Sequence, residues 1–275
     1  MPGMNHYLEA WELTDPQPLA QTVTSQVYGV TLQRERVVLK LLTPIGIDSE
    51  QSGAIALSYW KGRGAGKLIR HDSGAHLMEY VEGGDLTALV LQGQDEEATA
   101  IIAEVLDRLH ADPVTPFPDG LIPLGTHFRS LFRRAEEAPE SIFGRGARFA
   151  EKLLAHQRDV RVLHGDIHHW NIRHHARRGW LAFDPKGLVG DRAFDTANTL
   201  CNPDTRPDLV TDEERLLRNA EILARGTGIE LARVLAYTYA YGCLSASWFL
   251  DAGDDARASQ PLRVAEIVEP HVPQV

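Results

Sequence analysis

Over the first eighty residues, apolar and polar positions alternate in short runs bounded by turn residues, the pattern of a half-buried antiparallel sheet. VTSQVYGVT (residues 23–31) and RVVLKLL (36–42) are rich in β-branched and apolar side chains, and the polar QRE between them predicts a hairpin. KLIRH (67–71) and AHLMEYV (75–81) predict a second pair turned at Asp72, Ser73 and Gly74, with residues 6–13 as a candidate fifth strand. EQSGAIALSYW breaks the alternation: Ala54, Leu57 and Trp60 fall on one helix face. Its first turn would hold Glu50, where a carboxylate suits the helix dipole.

At EGGD (82–85) the pattern becomes helical. Ala98, Ile101, Ile102, Val105, Leu106 and Leu109 recur at spacings of three and four across 95–110, and the proline-rich 111–120 is a loop that no helix crosses. Further helices are expected at 127–137, 145–158 and 229–250, and from a capping box at Thr211 and Glu214. RVLHGD (161–166) reads as a short extended segment, and 171–175 with 180–184 as a hairpin. A small antiparallel sheet with one helix, followed by a mainly helical region, is an α+β fold in two lobes, 1–81 and 82–275. No linker-like Pro/Ser/Gly tract divides them.

Charge and cysteine content narrow the function. A net charge of −10 argues against a general nucleic-acid binder, which needs a basic face, and suits a cationic small molecule as well as plain solubility. Two cysteines, Cys201 and Cys243, read as buried apolar residues of a reducing compartment. The N-terminus lacks the pattern of a signal peptide, and no apolar run approaches the roughly 18 residues of a membrane span, so a cytoplasmic protein with no membrane partner is expected.

The candidate chemistry lies in HGDIHHWNIR (His164–Arg173) and WLAFDPKG (Trp180–Gly187). Asp166, then Asn171 five residues on, then Asp184 at the end of the hairpin, follow the order of a phosphoryl-transfer site: a base for a hydroxyl, an amide ligand for magnesium, an anionic ligand for magnesium. Lys40 interrupts an otherwise apolar strand, and an amine there needs a carboxylate or phosphate partner, for which Glu50 is the candidate. GRGAGK (62–67) lacks the spacing of a P-loop, and the lone Gly29 does not make a phosphate-cradling loop. The competing arrangement, a zinc site built from His164, His168, His169, His174 and His175, contains no HExxH pairing. Adjacent His168 and His169 cannot both face one metal from extended backbone.

These segments resemble the aminoglycoside and hydroxyurea phosphotransferases, and among them the streptomycin 6-kinases. The likeness includes VLK (38–40), Glu50 with Gly53 and Ala54, GRGA (62–65), LMEY (77–80), LHGDIHHWNI (163–172), GWLAFDPKGLVGD (179–191), FDTAN (194–198) and YAYGCLSASW (239–248). The resemblance implies a protein-kinase-like two-lobed fold, ATP as donor, magnesium, and an antibiotic hydroxyl as acceptor. It implies that Lys40 meets phosphate with Glu50 as its partner, and that Met78–Val81 form a hinge whose backbone at Glu79 and Val81 holds adenine. Asp166 would be the base, Asn171 and Asp184 the magnesium ligands, and Asp191 and Asp195 structural braces. His169 and Lys186 depart from that group by being basic and would set positive charge beside Asp166. His169 would then line the approach to the base. Asp251, with Asp254 and Asp255, would meet a guanidinium or amine, or else form a solvated run after the last long helix. Hydroxyurea or another small metabolite is the alternative acceptor. A non-catalytic nucleotide-binding protein is disfavoured because Lys40, Asp166, Asn171 and Asp184 are all present.

Overall fold

The computed structural model describes residues 3–273, apart from the side chains at 48 and 49. Its N-terminal part is a five-stranded antiparallel sheet in the order β1-β2-β3-β5-β4, from β1 (Leu13–Gln21), β2 (Ser25–Leu32), β3 (Glu35–Leu42), β4 (Leu68–His71) and β5 (Ala75–Glu79). Both predicted hairpins form. The fifth strand does not lie at 6–13: residues Met4–Ala10 are helix α1, and β1 starts only at Leu13. β1 is an edge strand, the place where Pro16 and Pro18 are tolerated because their missing N–H groups leave no ladder bond unmade.

Strand alternation decides what each face of β3 touches. Val37 and Leu39 join Tyr7, Leu13, Val30, Ala75 and Leu77 in a small core under α1. Lys40, paired across the ladder with His76, turns to the opposite face, toward helix α2 (Pro44–Trp60). That helix begins six residues before Glu50, because Thr43 accepts a hydrogen bond from the Gly46 N–H at 3.1 Å and Pro44 occupies the first turn. Glu50 therefore sits mid-helix rather than on the first turn, with α2 passing beside Lys40.

The remaining chain contributes α3 (Thr87–Leu91), α4 (Asp95–His110), β6 (Ile122–Pro123), α5 (Leu124–His127), α6 (Arg129–Glu137), α7 (Ile142–Ala155) and β7 (Val160–Leu163). The hairpin β8 (Ile172–His175) and β9 (Gly179–Ala182) follows, then β10 (Leu188–Asp191), α8 (Phe194–Leu200), α9 (Pro207–Val210), α10 (Glu213–Thr227), α11 (Leu231–Asp251) and α12 (Asp255–Val268). Strand β10 lies between β6 and β7 in a three-stranded sheet. One large core joins α4, α8, α10 and α11, and also takes in Ala56, Leu57 and Trp60 of α2. Two expectations change here. Helix α10 is capped by the Asp212 carboxylate, which accepts from the Arg215 N–H at 2.7 Å, while the Thr211 hydroxyl donates to the Pro207 carbonyl. Where a solvated run was expected after 251, α12 packs against α11. No described helix is long and apolar enough to cross a membrane.

Candidate active site

The two signature segments are stitched together by backbone bonds. The Phe183 N–H donates to the Asn171 carbonyl and the Lys186 N–H to the His164 carbonyl, each at 2.7 Å, so Asp184 and Lys186 leave the hairpin beside the loop carrying Asp166 and Asn171. Helix α2 closes on the same segment. A Cβ on Gly187, whose φ is +69°, would come within 1.9 Å of the Ser52 carbonyl oxygen, and one on Gly53 within 2.2 Å of the Pro185 carbonyl oxygen. Only glycine allows that approach, which brings Glu50 and Asp184 to one amine.

Lys40 Nζ donates to Glu50 Oε2 at 2.7 Å and also pairs with Asp184. Burial acts to remove the charge from this amine, and the Asp184 and Glu50 carboxylates outweigh it, so its pKa stands above the ordinary lysine value. Loss of hydration likewise disfavours the charged Asp184 carboxylate, and Lys40 overcomes it, holding that carboxyl below its ordinary range. The Asp184 side chain keeps 47% of its surface accessible, and its backbone adopts the left-handed φ of 60° that aspartate tolerates better than most residues. Asn171 Nδ2 donates to the Asp166 carbonyl at 2.9 Å, which turns the amide oxygen away from that loop. One carboxylate and one amide oxygen suit a magnesium ion, which draws its other ligands from phosphate and water. Among the described residues no three His, Cys, Asp or Glu side chains gather as a metal site, so the histidines do not assemble the competing zinc arrangement.

Asp166 Oδ1 accepts from Asn198 Nδ2 at 2.8 Å, and Lys186 Nζ lies 3.5 Å from Oδ2. Burial disfavours the Lys186 charge, and Asp166 with Asp184 more than restores it, placing its pKa above the ordinary value. Spacing gives neither neighbour, and of the two only Lys186 was expected beside Asp166, from the resemblance. Asn198 is 32 residues downstream on a helix whose seven residues are all buried, and Lys186 is two past Asp184.

The loop is held from beneath by Asp195. Its carboxylate accepts from the N–H groups of His164 (2.8 Å) and Gly165 (2.7 Å) and contacts His110 Nε2 at 2.9 Å. Burial pushes the Asp195 pKa up, but His110 and these bonds bring it below the ordinary value. Asp191 acts similarly, accepting from the N–H groups of Arg158 (2.9 Å) and Ala193 (3.1 Å) and from the Arg233 guanidinium. His164 stacks on Trp60. Its Nε2 lies 2.8 Å from the Phe183 carbonyl and its Nδ1 accepts from the Asp166 N–H at 3.2 Å, which fixes a neutral ring protonated on Nε2.

Asp166 opens onto a cavity of about 600 Å³, within the usual range for a small-molecule site. Trp170, Asp204, Trp248, Phe249 and Arg257 are among its walls. The two residues expected to contact substrate lie elsewhere. His169 is 1% exposed beneath the loop, beside Arg215 and Asp95, and burial pushes its pKa down to about 4, so it sets no charge next to Asp166. Asp251 is occupied by Ser130, Arg133 and Arg134 and is absent from the cavity wall. Asp254 instead caps α12 through the Arg257 N–H.

At the expected hinge, the Glu79 N–H donates to the Lys67 carbonyl, while its side chain takes the Lys67 N–H and pairs with Arg178. The Val81 N–H has no acceptor among the described residues, although Val81 is 7% exposed. That donor lies two residues beyond β5, on the segment expected to form the hinge.

The chain compares closely with known kinases. It is 39% identical to streptomycin 3''-kinase of Klebsiella pneumoniae across 90% of this chain and 92% of that one. It is 31% identical to streptomycin 6-kinase of Streptomyces griseus across 94% and 86%. Among solved structures, a thermostable mutant of the aminoglycoside phosphotransferase APH(4)-Ia, in ternary complex with AMP-PNP and hygromycin B, superimposes with a TM-score of 0.63 at 15% identity. The match covers 98% of this chain and 99% of that one, and establishes the protein-kinase-like fold. The family model for aminoglycoside/hydroxyurea antibiotic resistance kinases matches residues 10–253, and the chain belongs to that family.

Proposed function

We propose that this enzyme transfers the terminal phosphate of ATP to a hydroxyl of streptomycin. The observation that carries this reading is the placement of Asp166: its carboxylate opens onto the cavity, while its loop is bonded to the segment that brings Asp184 to Lys40. In this reading residues 1–81 carry the nucleotide, and residues 82–275 carry the base, the magnesium ligands and the acceptor cavity. Lys40, steadied by Glu50, meets the donor phosphates, and the backbone of Glu79 and Val81 holds adenine. Magnesium held by Asn171 and Asp184 supplies charge neutralisation on the phosphates.

Asp166, fixed at Oδ1 by Asn198, orients the acceptor hydroxyl through Oδ2 and takes its proton as the new oxygen–phosphorus bond forms, while ADP leaves with the bonding pair. Lys186, 3.5 Å from Oδ2, sets a cation where charge spreads over the transferring group. The identity of 39% to a 3''-kinase against 31% to a 6-kinase supports the 3''-hydroxyl over the 6-hydroxyl to which the sequence reading leans.

The test is ADP release with magnesium, ATP and a panel of streptomycin, other aminoglycosides and hydroxyurea, with the phosphate located on the product by phosphorus–proton correlation NMR. We expect streptomycin to give the highest kcat/KM and a 3''-phosphate. Preference for hydroxyurea overturns the acceptor, and a 6-phosphate overturns the position.

A further inference from the structure

Arg257 occupies an unfavourable place for an arginine. It lies in the first turn of α12, where the helix dipole disfavours a cation, and its own N–H is spent on the Asp254 cap. Its guanidinium is held by other means: Cζ stands 4.4 Å from the centre of the Phe249 ring, and Nη2 stands 3.4 Å from Asp204 Oδ2. All three residues line the same cavity as Asp166. An aromatic face with a carboxylate at its edge is the chemistry that recognises a planar guanidinium, stacking on one plane and hydrogen-bonded at the rim.

We propose that Asp204 and Phe249 form a guanidinium cradle of the acceptor cavity, and that Arg257 fills it until a guanidinium group of the acceptor displaces it. The proposal rests on the streptomycin reading for its physiological ligand, since that antibiotic carries guanidinium groups on one ring. Displacement is easy because the resident pair is exposed, with 60% of the Arg257 side chain and 39% of that of Asp204 accessible, and such pairs contribute little to stability. The cavity's other aspartate, Asp166, has its own cation in Lys186, so the cradle is the part of the cavity whose charge partner can swing away into water. Arg257 would thereby exclude acceptors that offer no equivalent cation, because they would leave Asp204 to its internal partner.

The experiment measures steady-state kinetics with streptomycin, and binding of methylguanidinium and methylammonium by ligand-observed NMR, on wild type, Arg257→Ala, Asp204→Asn and the double variant. Arg257→Ala should lower the streptomycin KM about fivefold and strengthen methylguanidinium binding by a similar factor. Asp204→Asn should raise that KM about tenfold. In the double variant the benefit of removing Arg257 should vanish, since the two residues act through one contact. Methylammonium should bind more weakly than methylguanidinium throughout. A rise or no change in KM for Arg257→Ala, or fully additive effects, overturns the cradle. If streptomycin is not phosphorylated at all, the acceptor reading fails by itself, and the cradle stands or falls on the methylguanidinium affinities of the four proteins.

Discussion

Asp195→Asn is the substitution whose consequence can be worked out most fully. The carboxylate is fully buried and receives the His164 and Gly165 N–H groups, with His110 Nε2 as a third contact. Asparagine offers one acceptor oxygen. If that oxygen takes the place of Oδ2, it keeps His164 and His110, and the new NH₂ group faces the Gly165 N–H donor to donor. The loss is one hydrogen bond to a charged acceptor, about 1.5–3 kcal/mol, plus a buried unsatisfied N–H, about 1–3 kcal/mol. A total of about 2.5–6 kcal/mol is smaller than the roughly 10 kcal/mol at the middle of the usual range for a folded domain, so the variant should still fold. With a urea m-value of about 3 kcal/mol/M, the unfolding midpoint should fall by about 1–2 M. Asp166 is the next residue after Gly165, so kcat should fall at least tenfold while the KM for ATP changes little. Circular dichroism in urea and steady-state kinetics read both quantities. A midpoint shift below about 0.3 M, or a wild-type kcat, would show that the brace does not hold the base in place.

The acid limb of stability should be steep. Burial lowers the pKa of His76, His127 and His169 from 6.5 to about 4 each, so in the folded state they stay neutral while the unfolded chain takes up protons. Their contribution is complete above pH 6.5 and is lost as pH falls toward 4, at up to about 3 kcal/mol per histidine. His127→Phe, at a ring already packed edge-on against Phe194 and Trp248, should reduce the slope of stability in that window by about 1.4 kcal/mol per pH unit. An unaltered slope in urea melts between pH 6.5 and 4.5 would contradict the assignment. Gly187→Ala should force α2 away from the Asp184 segment and separate Glu50 from Lys40, raising the KM for ATP at least tenfold with streptomycin binding retained. A normal KM for ATP would mean that the close approach is dispensable.

Periodicity revealed the elements that present one apolar face to one core: the hairpin of β2 and β3, and α4, whose bounds of 95–110 match the structure. It missed α8 because all seven residues are buried and no polar face marks a period. It missed α12 because the apolar face is carried partly by alanines and interrupted by Pro261, and the acidic start resembles a solvated tail. The start of α2 was readable in Thr43 and Pro44, yet Gly46 masks the helical pattern there. Local spacing set out Asp166, Asn171 and Asp184 because one loop and one hairpin carry all three. It did not reveal Asn198, whose nearness to Asp166 comes from the packing of α8, and the charge of Lys186 beside Asp166 was expected only from the family resemblance. The same limit explains His169 and Asp251: a basic or acidic letter near the motif does not disclose whether its side chain faces the cavity or the core.

The central claim is that Asp166 activates a streptomycin hydroxyl toward the terminal phosphate of ATP. Incubating wild type and Asp166→Asn with γ-labelled ATP, magnesium and streptomycin, and counting label in the isolated antibiotic, tests it directly. Label should enter streptomycin with the wild type and fall by at least about a hundredfold with the variant, whose ATP affinity and melting temperature stay near normal. Equal labelling by the two proteins, or label that appears only as free phosphate, would contradict the account.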